Sequence, residues 1–406
     1  MKTIIVITYD ISPYRGSEAS VSWNYVSNMR GQHQLIVIYG RGKEEIEKYL
    51  ETHQMPNVKF INIPYVQATG RGLMMDIKYN FNYRRWHYQT YLKTKEIITK
   101  EHVDVIHYLN PIGFKEPGFC WKIKNVPYVW GPIQGVENRP IALFPALSLK
   151  GKVNALVRRV VHNGMLWCLP RVRKALKRAD AVFAATPNTV KQLKKIHHKD
   201  AIYLPENGIL KMERTEPVVM EDTLNLIWVG SIDERKALGI LISALGKVKH
   251  GNWHLNVLGD GPLRGKCETL ACDLGISDKI MFYGKVDRTQ VQLVFEQSQV
   301  HVISSLGEAT TTVLWEAFSK AIPTITLDHC GMAGVVSSEC GIKIPIRSYQ
   351  QVLNDIAFAI DDLMEHPEKV TRLSQGTIEC SKKFMWKNRI ALYDKMYDKV
   401  LEKYER

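Results

Sequence analysis

The 406-residue sequence lacks the features that mark membrane-spanning and secreted proteins. It contains no run of 18 or more apolar residues, which excludes a membrane-spanning helix. Its seven cysteines form no Cys-x-x-Cys pair, so the sequence predicts neither a metal knuckle nor a disulfide framework. The segment Met1–Val6 leads directly into a strand-like run, without the long apolar core or cleavage site of a signal peptide. We therefore expect a cytoplasmic protein with reduced thiols.

Acidic residues are absent from one long stretch, residues 138–179, which carries ten Lys and Arg. Residues 1–200 contain 31 Lys and Arg against 14 Asp and Glu, whereas residues 201–406 contain 24 against 27. Leucines, valines and Trp167 alternate with the basic residues, and this mixture suits an anionic membrane surface on the inner leaflet. A solvated basic face over ordinary core helices is the alternative. No zinc-finger spacing, RNP-like strand or basic zipper accompanies the charge, so we expect no nucleic-acid partner.

Short β-branched runs alternate with helical stretches along most of the chain, a pattern that predicts an α/β fold with parallel sheets. A chain of this length exceeds the usual size of a single core. We therefore predict an N-terminal Rossmann-like domain over residues 1–207, a C-terminal one over 208–380, and a closing helix over 381–406 that packs on the first domain. The predicted strands are Ile4–Thr8, Gln34–Tyr39, Val58–Ile63, Val103–Leu109, Tyr128–Trp130, Ala181–Ala185, Ala201–Leu204, Leu224–Val229, His254–Leu258, Lys279–Tyr283, Val300–Ser304 and Thr324–Leu327.

The most informative segment is Ser304–Ala317, which follows a predicted strand and opens a helix. The first backbone N–H groups of such a helix have no partner within the helix and attract phosphate. Glu308 precedes the helix start and Glu316 follows it, so the two carboxylates could accept hydrogen bonds from hydroxyls on either side of a diphosphate. Two surface glutamates flanking a buried helix are the alternative reading of the same residues.

Glu308 and Glu316 form the Glu-x7-Glu pattern of retaining GT-B glycosyltransferases, and the segment most resembles glycosyltransferase family 4 (group 1), in particular its polysaccharide and surface-glycan members. The resemblance extends over nearly the whole chain in the expected order. Matching segments of the C-terminal half are Trp228–Leu238, Leu258–Leu263 and Phe282–Val286; those of the N-terminal half are Pro13–Glu18, Val103–His107, Trp130–Gly135 and Pro205–Gly208. The resemblance implies two Rossmann-like domains with parallel sheets facing a central cleft.

The resemblance also implies a role for each matching residue. Glu316 would hold the ribose hydroxyls, Glu308 the donor-sugar hydroxyls, and Lys236 would neutralise the leaving diphosphate. His107 would hydrogen-bond the donor sugar near its reacting carbon, and Gly16 would let the backbone approach the β-phosphate. Further donor-side residues are Gly230, Ser231, Arg235, Lys285, Thr311 and Thr312, and acceptor-side residues are Glu18, Gly131 and Gly135. Ser231 stands where many members carry Arg; Arg235 could supply the missing charge or point away.

The resemblance implies transfer of a sugar, with net retention, from a UDP- or GDP-linked donor. We expect the acceptor to be a glycan or a lipid-linked glycan. The resemblance implies no cofactor and no essential metal, and the pair Asp361–Asp362 lies in a predicted helix far from any strand end. Two alternatives remain open at this point. One is a GT-B epimerase or hydrolase that acts on the nucleotide sugar without an acceptor, and the other is a non-catalytic GT-B partner subunit.

Overall fold

The computed structural model describes residues 1–16, 18–65, 72–220 and 222–404, with the backbone alone for residues 72–79. Ser17, part of the predicted Pro13–Glu18 loop, lies outside the described residues. The chain divides into two compact units. The first contains Met1–Val136, Asn163–Asn207 and Trp386–Arg406, and the second contains Glu137–His162 and Gly208–Met385.

The first unit is built on a seven-stranded sheet in the order β3-β2-β1-β4-β5-β6-β7. Every neighbouring pair is parallel. The order reverses between β1 and β4, and ligands of open parallel sheets bind beyond the carboxyl ends of the strands at such a point. The strands are β1 Thr3–Asp10, β2 Gln34–Arg41, β3 Val58–Asn62, β4 Val105–Asn110, β5 Tyr128–Ile133, β6 Ala181–Ala184 and β7 Ile202–Tyr203.

Helices cover the sheet of the first unit because its central strands are apolar on both faces, as a parallel sheet requires. Ile4, Ile5, Val6 and Ile7 of β1 are fully buried, so alternate side chains serve two separate cores. The helices with residues in this unit are α1 Glu18–Met29, α2 Lys43–Leu50, α3 Gly72–Lys100, α4 Leu149–Cys168, α5 Pro170–Arg178, α6 Pro187–His197 and, at the chain end, α14 Trp386–Leu401.

The second unit contains a six-stranded sheet in the order β10-β9-β8-β11-β12-β13, again with parallel neighbours. The order reverses between β8 and β11, so the loops after these two strands meet at one edge. The strands are β8 Leu224–Val229, β9 Trp253–Leu258, β10 Ile280–Gly284, β11 Val300–Ile303, β12 Thr324–Leu327 and β13 Gly341–Ile344. The helices are α7 Leu238–Leu245, α8 Arg264–Asp273, α9 Arg288–Glu296, α10 Thr312–Ser319, α11 Met332–Val335, α12 Tyr349–Glu365 and α13 Pro367–Lys383.

The division of the chain differs from the sequence-based boundaries in two stretches. Residues 381–385, predicted as part of the closing helix, belong to the second unit. Residues 137–162 lie within the predicted domain 1–207 but belong to the second unit, and the division falls inside α4. The reason is packing, because Leu143, Leu147 and Ala155 join the same apolar cluster as Leu226 and Trp228 of β8. No helix in the described ranges is long and apolar enough to cross a membrane.

Candidate functional site

The loop after β8 and the loop after β11 are held together by hydrogen bonds. The Ser304 hydroxyl donates to the backbone oxygen of Lys236 at 2.9 Å and accepts from the Trp228 indole at 3.1 Å. The Leu306 amide donates to the backbone oxygen of Arg235 at 2.8 Å. These bonds fix the backbone that carries Lys236 beside the backbone that leads to Glu308.

Three predicted donor-side residues form one charged cluster at this edge. Lys236 Nζ lies 2.8 Å from Glu308 Oε1 and 3.3 Å from the Thr311 hydroxyl, and the Arg235 guanidinium pairs with the same carboxylate. Lys236 is only 9% exposed. Two cations therefore share one carboxylate.

Asp233 holds the turn that presents these cations. One of its carboxylate oxygens accepts from the Arg235 amide at 2.9 Å and from the Lys236 amide at 2.8 Å. The turn also requires glycine nearby, because a Cβ on Gly259 would lie 1.8 Å from the Gly230 carbonyl oxygen. The positive φ of 130° at Gly259 excludes most other residues for a second reason.

The start of α10 matches the predicted phosphate-binding position. Thr311 is the N-cap residue, but its side chain makes no capping hydrogen bond to the helix. Thr312 is the first residue of α10, so the first N–H groups of the helix are available to an anion beside Lys236. Glu316 lies on the second turn and is largely buried, and this burial raises the pKa of its carboxyl. Ser231 and Lys285 are both exposed.

His107 is placed differently from its predicted role. It lies within β4 and is fully buried. Its Nε2 pairs with the Gly131 carbonyl oxygen at 2.7 Å and its Nδ1 with the Tyr397 hydroxyl at 2.6 Å. Burial lowers the pKa of His107 to about 4, so the ring is neutral. Because both nitrogens are engaged inside the first unit, the predicted hydrogen bond from His107 to a donor sugar is not available in this structure.

Asn110 is the last residue of β4 and is fully buried. Its side-chain amide donates to the Glu18 backbone oxygen at 3.1 Å. Its Oδ1 is buried and has no hydrogen-bond partner among the described residues. The Asp-x-x-His pattern does not include Asn110, although the Asn-Pro pair after an apolar run was a signal of the strand end.

The remaining predicted residues of the first unit lie near the carboxyl end of the sheet. Gly16 is exposed, and a Cβ there would meet nothing within 4 Å. Glu18 opens α1, and burial raises the pKa of its carboxyl. Gly131 is buried inside β5, where a Cβ would lie 2.2 Å from the Phe183 carbonyl oxygen. Gly135 follows β5 with a φ of 95°.

Asp361 and Asp362, the acidic pair of the predicted helix, both have partners within the protein. Asp361 accepts hydrogen bonds from the amides of Lys249 and His250, and Asp362 pairs with Lys369. A different group, Glu137, His329 and Cys330, offers three metal-ligating atoms within 4.8 Å of one another. Sequence reasoning missed this group, since Glu137 is remote in sequence from the other two.

A family model matches most of the second unit. Residues 213–379 match the family described as Glycosyl transferases group 1. The chain is similar to the lipopolysaccharide 1,6-galactosyltransferase of Escherichia coli K12, with 34% identity over 111 residues, which are 26% of this chain and 31% of that protein. It is 26% identical over 205 residues to the lipopolysaccharide core biosynthesis glycosyltransferase LpsE of Rhizobium meliloti, covering 49% of this chain and 58% of LpsE. The chain thus spans about a third to three fifths of the length of these curated relatives.

The fold is similar to that of solved glycosyltransferases along nearly the whole chain. The apo form of the lipopolysaccharide outer core galactosyltransferase WaaB gives a TM-score of 0.66 at 15% identity, over 97% of this chain and 99% of WaaB. Anabaena Alr3699/HepE, solved in complex with UDP and glucose, gives 0.63 at 13% identity, over 98% and 100%. These similarities confirm the predicted α/β fold class, GT-B, with two parallel-sheet units.

Proposed function

We propose that this chain is a retaining glycosyltransferase of family 4 that transfers a sugar from a nucleoside diphosphate donor to a glycan or lipid-linked glycan. The observation that carries the proposal is the cluster of Lys236, Arg235 and Glu308 beside the unblocked start of α10. A helix N-terminus and two cations suit a diphosphate, and a carboxylate among them suits sugar hydroxyls.

In the proposed complex the donor diphosphate lies against the first turn of α10 and the Lys236 ammonium. Glu316 accepts hydrogen bonds from the ribose hydroxyls, and Glu308 exchanges part of its contact with Lys236 and Arg235 for hydroxyls of the transferred sugar. UDP is the first nucleotide to test, because the similar protein Alr3699/HepE was solved with UDP. GDP remains the alternative that sequence reasoning left open.

The proposed reaction breaks the bond between the anomeric carbon and the diphosphate oxygen, and forms a bond from that carbon to an acceptor hydroxyl oxygen. The acceptor proton passes to the departing diphosphate, which also takes the electron pair of the broken bond. Negative charge therefore grows on the diphosphate in the transition state, where Lys236 and Arg235 stabilise it without rearrangement. In the proposed reaction these two side chains stabilise the diphosphate charge that a divalent cation stabilises in metal-dependent transferases. Asn110 Oδ1, which is buried and has no hydrogen-bond partner among the described residues, is a further group proposed to bond a substrate hydroxyl.

An anionic membrane surface is the proposed setting for the acceptor. Helix α4 exposes apolar side chains at positions 149, 153, 156, 157, 160 and 161, a spacing that places them along one face. Lys150, Lys152, Arg158 and Arg159 lie on the same helix, which contains no acidic residue. An exposed apolar stripe among basic side chains is complementary to anionic headgroups and the acyl chains beneath them. Peripheral attachment to the inner leaflet would bring the enzyme to a lipid-linked acceptor.

The test of the proposed function is thermal stabilisation of the purified chain by UDP, GDP, ADP and NAD, each with and without Mg²⁺, followed by transfer assays with sugar nucleotides of the base that binds. A ligand that binds the folded state raises the unfolding midpoint by mass action. We expect one of UDP and GDP to raise it equally with and without Mg²⁺, and product to form only with an acceptor. No shift with any diphosphate would overturn the proposal. Free or isomerised sugar without acceptor would establish a hydrolase or epimerase, and binding without any turnover a non-catalytic subunit.

A further inference from the structure

A cluster of three different metal-ligating side chains lies next to the Glu308 loop. Glu137 is the first residue of the second unit, and His329 and Cys330 lie in the turn between β12 and α11. One ligand atom from each side chain lies within 4.8 Å of the other two. All three residues belong to the same unit, so the cluster is part of one packed body.

The hydrogen bonds of His329 leave one ring nitrogen available to a metal. The ring bonds the backbone carbonyl of Leu306, while its Nε2 is buried without a partner among the described residues. Histidines that bind metals usually donate their other N–H to a carbonyl or carboxylate, which fixes the ring and its tautomer. A buried nitrogen without any partner is otherwise costly, because it has lost its hydrogen bond to water.

Cys330 is held in an unusual backbone conformation that directs its sulfur to the Glu308 loop. Its φ is 57°, a region that non-glycine residues rarely adopt and that costs free energy. The residue is 4% exposed, and its Sγ accepts a hydrogen bond from the Glu308 amide at 3.5 Å. Backbone N–H donors to sulfur are common second partners of metal-bound thiolates.

The turn has little freedom to place Cys330 elsewhere. The Gly331 amide donates to the Ala309 carbonyl oxygen at 2.8 Å, and a Cβ on Gly331 would lie 2.0 Å from that oxygen. Hydrogen bonds from the Gly331 amide and to the Cys330 sulfur thus hold the turn after β12 against the loop of Glu308 and Ala309. A change at the three-residue cluster would therefore be transmitted directly to the backbone of Glu308.

From this geometry we propose that Glu137, His329 and Cys330 form a binding site for a zinc-type transition metal ion. One imidazole nitrogen, one thiolate and one carboxylate are the donors that Zn²⁺ accepts, whereas Mg²⁺ prefers oxygen alone. Zinc bonds of about 2.0–2.3 Å hold ligand atoms roughly 3–4 Å apart, so small side-chain rotations from the present separations suffice. Three protein ligands leave a fourth position for water or a substrate oxygen.

This proposal goes beyond the proposed transferase function and does not depend on it. The site differs from a diphosphate-bridging cation site, because Lys236 and Arg235 already face the proposed diphosphate position. Its role is to fix the Cys330 turn and, through the amide-to-sulfur bond, the position of Glu308. Metal binding would occur in the absence of nucleotide and acceptor alike.

The test is the metal content of the full chain, purified, treated with a chelator and then dialysed against Zn²⁺ or Co²⁺. We expect about one ion per chain, measured by mass spectrometry, and thiolate-to-cobalt charge-transfer absorption for the Co²⁺ form. C330S should abolish that absorption, while H329N and E137Q should weaken Zn²⁺ binding by roughly 10-fold or more. The matched control is C267S, since Cys267 is a buried cysteine of the same unit.

Circular dichroism of each variant separates loss of metal from loss of fold. If C330S does not fold, H329N and E137Q still decide the question, because neither residue is fully buried. Wild-type chain that takes up no Zn²⁺ or Co²⁺ would overturn the proposal. Equal binding by the wild type and by folded H329N and E137Q would also overturn it, since the ion would then lie elsewhere.

Discussion

Lys236 Nζ and Glu308 Oε1 lie 2.8 Å apart, so the cation proposed to meet the diphosphate is paired with the carboxylate proposed to meet the sugar. The two residues come from the loops after β8 and β11, the strands between which the sheet order reverses. In this structure each charge offsets the free-energy cost of burying the other. A bound donor would supply a phosphate for the lysine and hydroxyls for the carboxylate, so both groups would keep partners during the reaction.

Separate changes at this pair should have opposite effects on the binding of free nucleotide. K236A removes a cation that faces the diphosphate, so it should weaken the binding of free nucleotide. The same charge stabilises the leaving diphosphate, so K236A should also lower kcat/KM by roughly 10²-fold or more. E308Q should lower turnover of the sugar donor to a similar degree, yet bind the free nucleoside diphosphate as well as or better than the wild type, because Lys236 and Arg235 lose their competing partner. Steady-state kinetics and calorimetric titration measure the two effects.

The control for these variants is K369A. It removes a different lysine of the same unit, half-buried and ion-paired with Asp362. It should leave both turnover and nucleotide binding unchanged. Equal weakening of nucleotide binding by K236A and E308Q would contradict the assigned division of roles. Wild-type turnover in both variants would place the site elsewhere.

Glu316 should show opposite effects on stability and on nucleotide binding. Burial raises the pKa of its carboxyl in the folded protein. Its ionisation therefore costs stability as the pH rises above the pKa of the unfolded chain, about 4.3 for Glu. E316Q removes that cost and should raise the unfolding midpoint at pH 7 by about 1–3 °C, with no difference near pH 4. The same change should weaken nucleotide binding, because an amide is a poorer acceptor for two ribose hydroxyls.

Thermal scans of E316Q and wild type across pH 4 to 8, with and without nucleotide, test both halves of this prediction. The control E216Q changes an exposed glutamate of the same unit and should alter neither the unfolding midpoint nor nucleotide binding. A midpoint at pH 7 that falls in E316Q would show that the carboxylate stabilises the fold rather than serving a ligand.

The strand pattern of this chain could be predicted well because it depends on local composition. All seven strands of the first unit and β8 to β12 of the second coincide with predicted runs. The missed strand, β13 Gly341–Ile344, has four residues, one of them a lysine, so it lacks a distinct apolar run. Similarly, residues 137–162 gave no sequence sign of joining the second unit, because packing of Leu143 and Leu147 against remote strands decides it.

The site was predictable where its residues share one loop and was not where they come from separate strands. Glu308, Thr311, Thr312 and Glu316 all lie on the single segment that leaves β11 and enters α10. Their arrangement therefore depends mainly on their order in the chain. The prediction for His107 used a pattern that does not say how deep in the strand a residue lies; His107 is three positions before Asn110, the last residue of the strand. Contacts such as that between Glu137 and His329 leave no pattern in a single sequence.

His107 should prove important for acid stability. Its folded-state pKa, about 4, lies below the ordinary value of 6.5, so its contribution to stability is present above pH 6.5 and is lost as the pH falls toward 4. Between pH 7 and pH 5 this one group should reduce the free energy of unfolding by about 2 kcal/mol. H107Q should show a correspondingly smaller loss. Denaturant unfolding at the two pH values measures this, with exposed His53 changed to Gln as the control.

Asn110 should affect turnover instead. N110A removes the buried Oδ1 that has no partner among the described residues, but also the hydrogen bond from the Asn110 amide to the Glu18 backbone oxygen, so circular dichroism must first show that the variant is folded. If this oxygen faces the transferred sugar, kcat should fall by roughly 10-fold or more while the nucleoside diphosphate alone binds as before. H107Q at pH 7 should keep most of its turnover. The reverse pattern, with turnover lost in H107Q and kept in N110A, would restore His107 to the role that the sequence pattern predicted.

Helix α4 should determine binding to anionic lipid. Val160, which is 72% exposed, lies on the apolar stripe, and V160D would place a negative charge where acyl chains are expected. Burying such a side chain contributes about 1.5 kcal/mol or more, and each basic residue near the headgroups about 1 kcal/mol.

Vesicle flotation should show wild-type chain bound to anionic vesicles and not to neutral ones, with V160D bound at least 10-fold more weakly. F358D, at an equally exposed position on α12, controls for any loss of surface apolarity. If both variants float with the vesicles as the wild type does, α4 is not the docking face; if the wild type binds neither vesicle, the basic residues of 138–179 form a solvated surface instead.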